Sequence, residues 1–292
     1  MKNYILILVA FVLLACQNSS EKLTKIFDLP KKLTEVSGIV YSENDNLFWV
    51  LEDSGNPSVI YGLDTQEGKI QRKLAITDAR NGDWEDITKD EAGNLYIGDF
   101  GNNANKRKDL CIYKIDKNAL TKGETTPAYK VSFSYPEQKE FPPKKSGLFF
   151  DAESFFEYKG NFYLFTKNRS KGYDGTVFVY KIPNVAGTHK ASLVGKFKTC
   201  DNFRHCVITS AAISPDATKI VFLAHDKVFL FENYKEGDFL NGTQSEFKLN
   251  NFSQKEAICF IDNKTLIIAE EKGNLSKANV YEITLDKLKS VP

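Results

Sequence analysis

The sequence predicts an all-β fold, a β-propeller of five four-stranded blades. Three observations carry that prediction. Aromatic residues are abundant (22 Phe, 13 Tyr and 2 Trp), and such residues favour strands. A strand–turn–strand unit recurs five times along the chain. No stretch shows a sustained helical period.

The five units are Ser37–Asp53, Asp86–Asp99, Ser154–Lys167, Ala212–His225 and Ala257–Glu270. Their turns carry Glu43-Asn44-Asp45-Asn46, Asp90-Glu91-Ala92-Gly93-Asn94, Lys159-Gly160-Asn161, Pro215-Asp216-Ala217 and Asp262-Asn263-Lys264. Turn chemistry between alternating apolar residues reads as a hairpin. Third strands follow at Val59–Leu63, Leu110–Ile115, Val177–Ile182, Lys227–Phe231 and Asn279–Ile283. Fourth strands follow at Ile70–Ile76, Tyr129–Tyr135, Ala191–Phe197 and Ser245–Leu249. The fifth unit lacks a fourth strand, and Leu23–Leu29 is a spare one near the start. The economical arrangement is a ring in which the N-terminal strand completes the last sheet. Units of about 55 residues are somewhat longer than the usual blade repeat. Six blades is the runner-up, and a β-sandwich the competing architecture. Residues 26–292 form one domain on this reading.

The N-terminus reads as a targeting segment. Met1-Lys2-Asn3 is basic, Tyr4–Leu14 is apolar, and Ala15 precedes Cys16. Those are the parts of a secretory signal. The run is too short to span a bilayer comfortably. Leu13-Leu14-Ala15-Cys16 resembles the bacterial lipobox, which implies removal of residues 1–15 and lipidation of Cys16. Gln17 after the Cys, rather than Asp, implies the outer membrane of a Gram-negative envelope. Residues 16–25 read as a tether, so the only membrane contact expected is the lipid. Outside the cytoplasm, disulfides are permitted. Cys200 and Cys206 flank a short polar loop and are expected to pair. Cys111 and Cys259 lie inside apolar runs and read as buried thiols.

Charge excludes one class of function. The chain carries 39 basic and 38 acidic side chains, a net of +1. No global field is available to hold nucleic acid. The three histidines argue against a His-rich zinc site. Gly-x-Ser-x-Gly, Walker, Cys-x-x-Cys and His-Glu-x-x-His motifs are absent.

The repeats align on the residue before the first strand and the residue ending the second. Glu85 and Asp99 are 14 apart, as are Glu153 and Lys167, Ala211 and His225, and Glu256 and Glu270; Glu35 and Asp53 are 18 apart. The start of one antiparallel strand lies beside the end of the next, so these pairs share one sheet edge. With the first strands lining a channel, all ten positions crowd one mouth. Seven carboxylates in one funnel repel unless a cation compensates. Lys167 supplies one charge, and Ca²⁺ or another hard cation suits the rest. The expected metal ligands are Glu85, Asp99, Asn102, Glu153, Glu256 and Glu270. The wider ligand-binding set adds Glu35, Asp53, Lys167 and His225. Asp53-Ser54-Gly55-Asn56 and Asp99-Phe100-Gly101-Asn102 share a turn that supplies oxygens, and Glu270-Glu271-Lys272-Gly273-Asn274 is a looser copy. Acidic strand ends also cap turns, which is the competing structural explanation. Arg107, eight residues past Asp99, is a candidate structural anchor for the Asp83-Trp84-Glu85-Asp86 cluster, where three carboxylates flank a Trp.

The segments Val36-Ser37-Gly38-Ile39, Trp49–Gly55, Asp83-Trp84-Glu85-Asp86-Ile87 and Tyr96–Asn103 with Arg107 resemble a group of secreted bacterial propellers. That group is similar to the SdiA-regulated propellers and, more loosely, to the phytase-like esterase propellers. The resemblance spans roughly residues 34–284 and is most specific in the first two repeats. It implies an extracytoplasmic, Ca²⁺-binding propeller. In phytase propellers acidic residues around the channel hold Ca²⁺ ions that bind phosphate. Ala211 departs from the acidic pattern in the fourth repeat.

Three functions follow as expectations. The first is a lipid-anchored propeller that binds a small ligand or protein partner at the acidic mouth. The second is a metal-dependent hydrolase of (phospho)esters, with Lys167 or His225 meeting the substrate anion. The third is a scaffold acting through protein contacts alone.

Overall fold

The computed structural model describes residues 23–273 and 277–289. The signal segment, Cys16 and Asn274 lie outside the described residues.

The closing strand is β1 (Thr24–Asp28), which begins inside the stretch read as tether. Blade 1 comprises β2 (Val36–Ser42), β3 (Leu47–Glu52), β4 (Val59–Asp64) and β5 (Ile70–Ile76). Blade 2 comprises β6 (Trp84–Lys89), β7 (Leu95–Asp99), β8 (Cys111–Ile115) and, after the short β9 (Glu124–Thr125), β10 (Tyr129–Ser134). Blade 3 comprises β11 (Asp151–Tyr158), β12 (Asn161–Lys167), β13 (Thr176–Pro183) and, after β14 (Gly187–Lys190), β15 (Ser192–Lys198). Blade 4 comprises β16 (Ser210–Ile213), β17 (Ile220–Leu223), β18 (Lys227–Glu232) and β19 (Thr243–Lys248). Blade 5 comprises β20 (Lys255–Phe260), β21 (Thr265–Glu270) and β22 (Asn279–Thr284), completed by β1.

The ring is therefore five-bladed and closed by the N-terminal strand, as the sequence predicts. The innermost strands β2, β6, β11, β16 and β20 pack side by side around the axis. Each blade pair encloses its own apolar layer. Trp49 and Trp84, both fully buried, fill the layer between blades 1 and 2. Phe100, Phe155, Phe162 and Tyr180 fill the next.

The sequence reading missed β9 and β14. Each leaves the loop before a fourth strand and adds in parallel to the outer edge of the preceding blade, β9 on β5 and β14 on β10. Covering an outer edge removes unpaired backbone groups. At two or four residues, neither carries a legible alternation.

A recurring contact stitches the inner strands. Asp86 Oδ2 accepts the Phe155 amide of the next blade at 3.1 Å, and Ser210 Oγ accepts that of Ile258 at 3.2 Å. The equivalent residue of blade 1 is Gly38. A Cβ there would lie 2.7 Å from the Ile87 nitrogen and 2.9 Å from Asp86 Cα, both backbone atoms. Gly38→Ala must push blades 1 and 2 apart. The expected cost is about 1–3 kcal/mol, read from the urea midpoint.

Cys200 and Cys206 are disulfide-bonded, and Cys111 and Cys259 are free and buried. Residues 139–145 form a largely exposed connector between blades 2 and 3, Gly147 closing its last turn.

Candidate functional site

Chain direction sorts the loops onto two faces. Inner strands start, and second strands end, at one face, the mouth. The hairpin turns between them lie at the other.

At the mouth, β-bulges reset the register. They fall at Ser37, Glu85, Glu153 and Glu256, each displaced from the pairing of its neighbours. Blade 4 pairs regularly and presents Thr209 there. The equivalence of blades 1 and 4 shows in their bonds. Ser37 Oγ donates to the Trp84 carbonyl at 2.8 Å, as Thr209 Oγ1 does to the Lys255 carbonyl at 2.7 Å. A bulge bends the strand and re-aims its extra side chain. Here it aims three glutamates into the channel.

Past the bulge, Gly38, Asp86, Ser154, Ser210 and Ala257 pair with Leu51, Gly98, Phe165, Leu223 and Ala269. Two residues further, on the same side of each second strand, stand Asp53, Phe100, Lys167, His225 and Glu271. The expected equivalence of Asp99 and Glu270 with Asp53, Lys167 and His225 is thus off by one residue, because the hairpins of blades 2 and 5 are one residue longer than that of blade 3, which an even spacing of 14 does not reveal.

The out-of-register acids have structural partners. Asp99 Oδ1 accepts Arg107 at 2.8 Å and the Asp83 amide at 3.0 Å. Arg107 also donates to the Gly101 carbonyl at 2.9 Å and to Asp109 at 3.0 Å, so it anchors Asp99 and the loop after β7 rather than the Asp83–Asp86 carboxylates for which the sequence suggests it. Glu270 accepts the Tyr281 hydroxyl at 2.9 Å, with Ser253 and Asn279 on the same carboxylate. Asn102 donates its amide to Asp151 Oδ1 at 2.6 Å and its side chain to the Phe150 carbonyl at 3.0 Å. Asp99 and Glu270 lie outside the groups of carboxylates close enough to share an ion, and the Asn102 side chain is engaged by the backbone. Glu35 is exposed and accepts Asn56 at 2.8 Å.

The remaining acids converge. Oxygens of Asp53, Asp83 and Glu85 lie within 4.8 Å of one another, and so do those of Glu85, Asp151 and Glu153. Glu85 belongs to both triads. Gly101 lets them close up, since a Cβ there would sit 2.0 Å from Glu85 Oε1 and 2.5 Å from Asp83 Oδ2. The second triad holds its own cations. Lys167 Nζ meets Glu153 Oε2 at 2.9 Å, and Arg169 meets Glu153 Oε1 at 2.9 Å and also Asp151. Among the described residues, no Lys or Arg pairs with Asp53, Asp83 or Glu85.

Titration follows that geometry. Burial, then Glu153 and Asp53, push the Glu85 carboxyl well above the usual range. Burial and Asp83 bring Asp53 up to about 6. Burial and Glu153 take Asp151 to about 7. Burial lifts Glu256 to about 8 and Glu271 to about 7, with Asp53 adding to both. Glu153 is lowered instead, Lys167 and Arg169 overcoming its burial. Burial, with Lys167 and Lys255 nearby, drops His225 to about 4. The ring is neutral at pH 7, so its 4.0 Å approach to Glu256 is not an ion pair.

Asp83, Asp151, Arg169 and Glu271 join the cluster without standing in the aligned register. Asp83 and Asp151 each lie two residues before a bulge glutamate, which is the signal that would have found them. The other face holds a different feature. A cavity of about 440 Å³ opens among the hairpin turns, with Ile39, Ile87, Ala211 and Ile258 along the channel and Lys89 and Glu157 at its rim.

No family model matches this chain, and no curated protein does. Solved structures match by fold. The PQQ-bound aldose sugar dehydrogenase of Streptomyces coelicolor aligns over 89% of this chain and 97% of its own, at TM-score 0.52 and 9% identity. A nidogen/laminin complex aligns over 82% and 73%, at TM-score 0.47 and 10% identity. At such identities the likeness is one of architecture, in keeping with the propeller ring.

Proposed function

We propose that this protein is an envelope-anchored propeller that takes a hard divalent cation, Ca²⁺ by preference, at its channel mouth and binds an anionic ligand or partner through it. The observation that carries this reading is the Asp53–Asp83–Glu85 triad. It gathers three carboxylates with no basic partner among the described residues. Two oxygens each about 2.4 Å from one Ca²⁺ lie at most about 4.8 Å apart, and the triad meets that limit. Ca²⁺ takes six to eight oxygens, so water and ligand oxygens would complete the shell. Anchoring through lipidated Cys16 in an outer membrane belongs to the same proposal and rests on the lipobox. The hydrolase alternative is not favoured, because Lys167 and Arg169 are both engaged by carboxylates.

Thermal melting tests the cation. Millimolar Ca²⁺ is expected to raise Tm over an EDTA control. Saturation at a hundred times Kd corresponds to about 2.7 kcal/mol. Glu85→Gln is expected to remove most of that shift, since Glu85 serves both triads. No shift in the native protein would sink the cation reading.

A further inference from the structure

We infer that the propeller stands on the membrane with its hairpin-turn face toward the bilayer and its acidic mouth directed away. The inference rests on the anchor proposed above and on the direction of the closing strand.

β1 is antiparallel to β22, pairing Thr24 with Glu282 and Asp28 with Asn279. Asn279 lies at the mouth, where its side chain reaches Glu270. The Leu29 amide, just past β1, donates to the Ala278 carbonyl at 2.9 Å, also at the mouth. The start of β1 therefore lies at the opposite face. Two contacts fix it there. Lys287 Nζ donates to Thr24 Oγ1 at 3.3 Å, and Leu23 packs in one apolar cluster with Leu285 and Leu288. Leu285 follows β22 and donates its amide to the Lys264 carbonyl in the β20–β21 hairpin turn.

Cys16 is seven residues before Leu23. Fully extended, that segment spans about 25 Å, at roughly 3.3–3.6 Å per residue. A tether of that length reaches a bilayer at the mouth only by running back along the outer edge almost fully extended, about 20 of its 25 Å, whereas it reaches a bilayer under the turn face with no such extension. Strands of six or so residues make the ring about 20 Å thick, at about 3.3 Å per residue. The mouth is thus displaced from the lipid by the ring as well as by the tether. Two consequences follow for the site. The Asp53–Asp83–Glu85 triad faces the aqueous compartment, so its partner is a soluble molecule or the exposed part of another protein. The 440 Å³ cavity opens on the membrane side.

Energy transfer to a bilayer acceptor tests this in the full lipidated protein, extracted from membranes and reconstituted into phosphatidylcholine vesicles carrying an acceptor-labelled lipid. Single donor sites are introduced at the turn face by Lys264→Cys and Ala92→Cys, and at the mouth by Ser54→Cys and Lys171→Cys. The four positions are exposed. The native thiols do not compete, since Cys111 and Cys259 are buried and Cys200 and Cys206 are bonded. Vesicle flotation comes first, with Cys16→Ser as the control that stays behind. The expected result is flotation of the native chain and transfer about twofold or more higher from both turn-face sites, as a ~20 Å displacement requires. Flotation with equal transfer from the two faces, or more from the mouth, overturns the orientation alone. Failure of the native chain to float overturns the anchor and the orientation with it.

Discussion

Lys167→Met is expected to be among the most damaging single substitutions in the ring. Lys167 is the central cation of the mouth. Its side chain is 11% exposed and that of Glu153 6%, and they meet at 2.9 Å. Burial alone would lower the Lys167 pKa, yet Glu153 and Glu256 hold the ammonium charged and raise it. Removing one member of a buried pair leaves the other charge uncompensated, at a cost of about 3–5 kcal/mol. Arg169 keeps its bond to Glu153, so the loss belongs near the lower end of that range. Urea unfolding at pH 7.5 in EDTA reads it. Lys167→Met combined with Glu153→Gln removes the stranded charge, and most of the loss is expected to return. A loss below about 1 kcal/mol, or a double variant no better than the single, would mean that the pair does not stabilise the mouth.

The ring was legible because its signals are local and repeated. Each hairpin announces itself by a polar turn between apolar strands, and Leu23–Leu29 is conspicuous as a strand with nothing beside it. The edge strands β9 and β14 were not legible, because two to four residues on an outer edge need no pattern. The site was legible in part. Glu85, Glu153 and Glu256 stand out by position, and all three prove to be bulge residues or immediate consequences of one. Asp99 and Glu270 were misplaced by a single step. Counting a constant 14 residues treats the hairpins as equal, whereas those of blades 2 and 5 are one residue longer than that of blade 3, and one step turns the end of the second strand over. Glu271 rather than Glu270 then reaches the channel. Arg169 lies two residues past the third repeat, outside the aligned register. Its bonds to Asp151 and Glu153 depend on the loop after β12 folding back over β11, and spacing does not show that.

The pH dependence of stability is expected to run opposite to that of most globular proteins, and Ca²⁺ to change its slope. Carboxylates with raised pKa bind more protons in the folded than in the unfolded chain, so stability falls as pH rises between the two pKa values. Asp151 and Glu271 at about 7 and Glu256 at about 8 carry that fall from the free-carboxylate range up to pH 7 and 8, so its upper part lies between pH 6.5 and 8, with Glu256 contributing longest. Asp53, at about 6, acts below it. His225, neutral in the fold down to about 4, opposes them only below pH 6.5, where the unfolded chain gains a proton that the folded one does not. Glu153 also opposes them at low pH, its lowered pKa giving stability that is lost as pH falls through it. The clean test is therefore the upper window. Urea unfolding in EDTA is expected to show about 2 kcal/mol less stability at pH 8 than at pH 6.5, since each proton contributes up to about 1.4 kcal/mol per pH unit. Ca²⁺ at the triad competes with the proton that Glu85 holds, and its charge favours ionisation of the neighbouring carboxyls. Its stabilisation is expected to be larger at pH 8 than at pH 6.5, so saturating ion flattens or reverses the slope. Glu256→Gln fixes one carboxyl in its neutral form and is expected to reduce the slope in EDTA. A flat profile in EDTA across this window would show that the mouth carboxylates titrate as solvated groups. The crowding of charge from which the cation reading starts would then be lost.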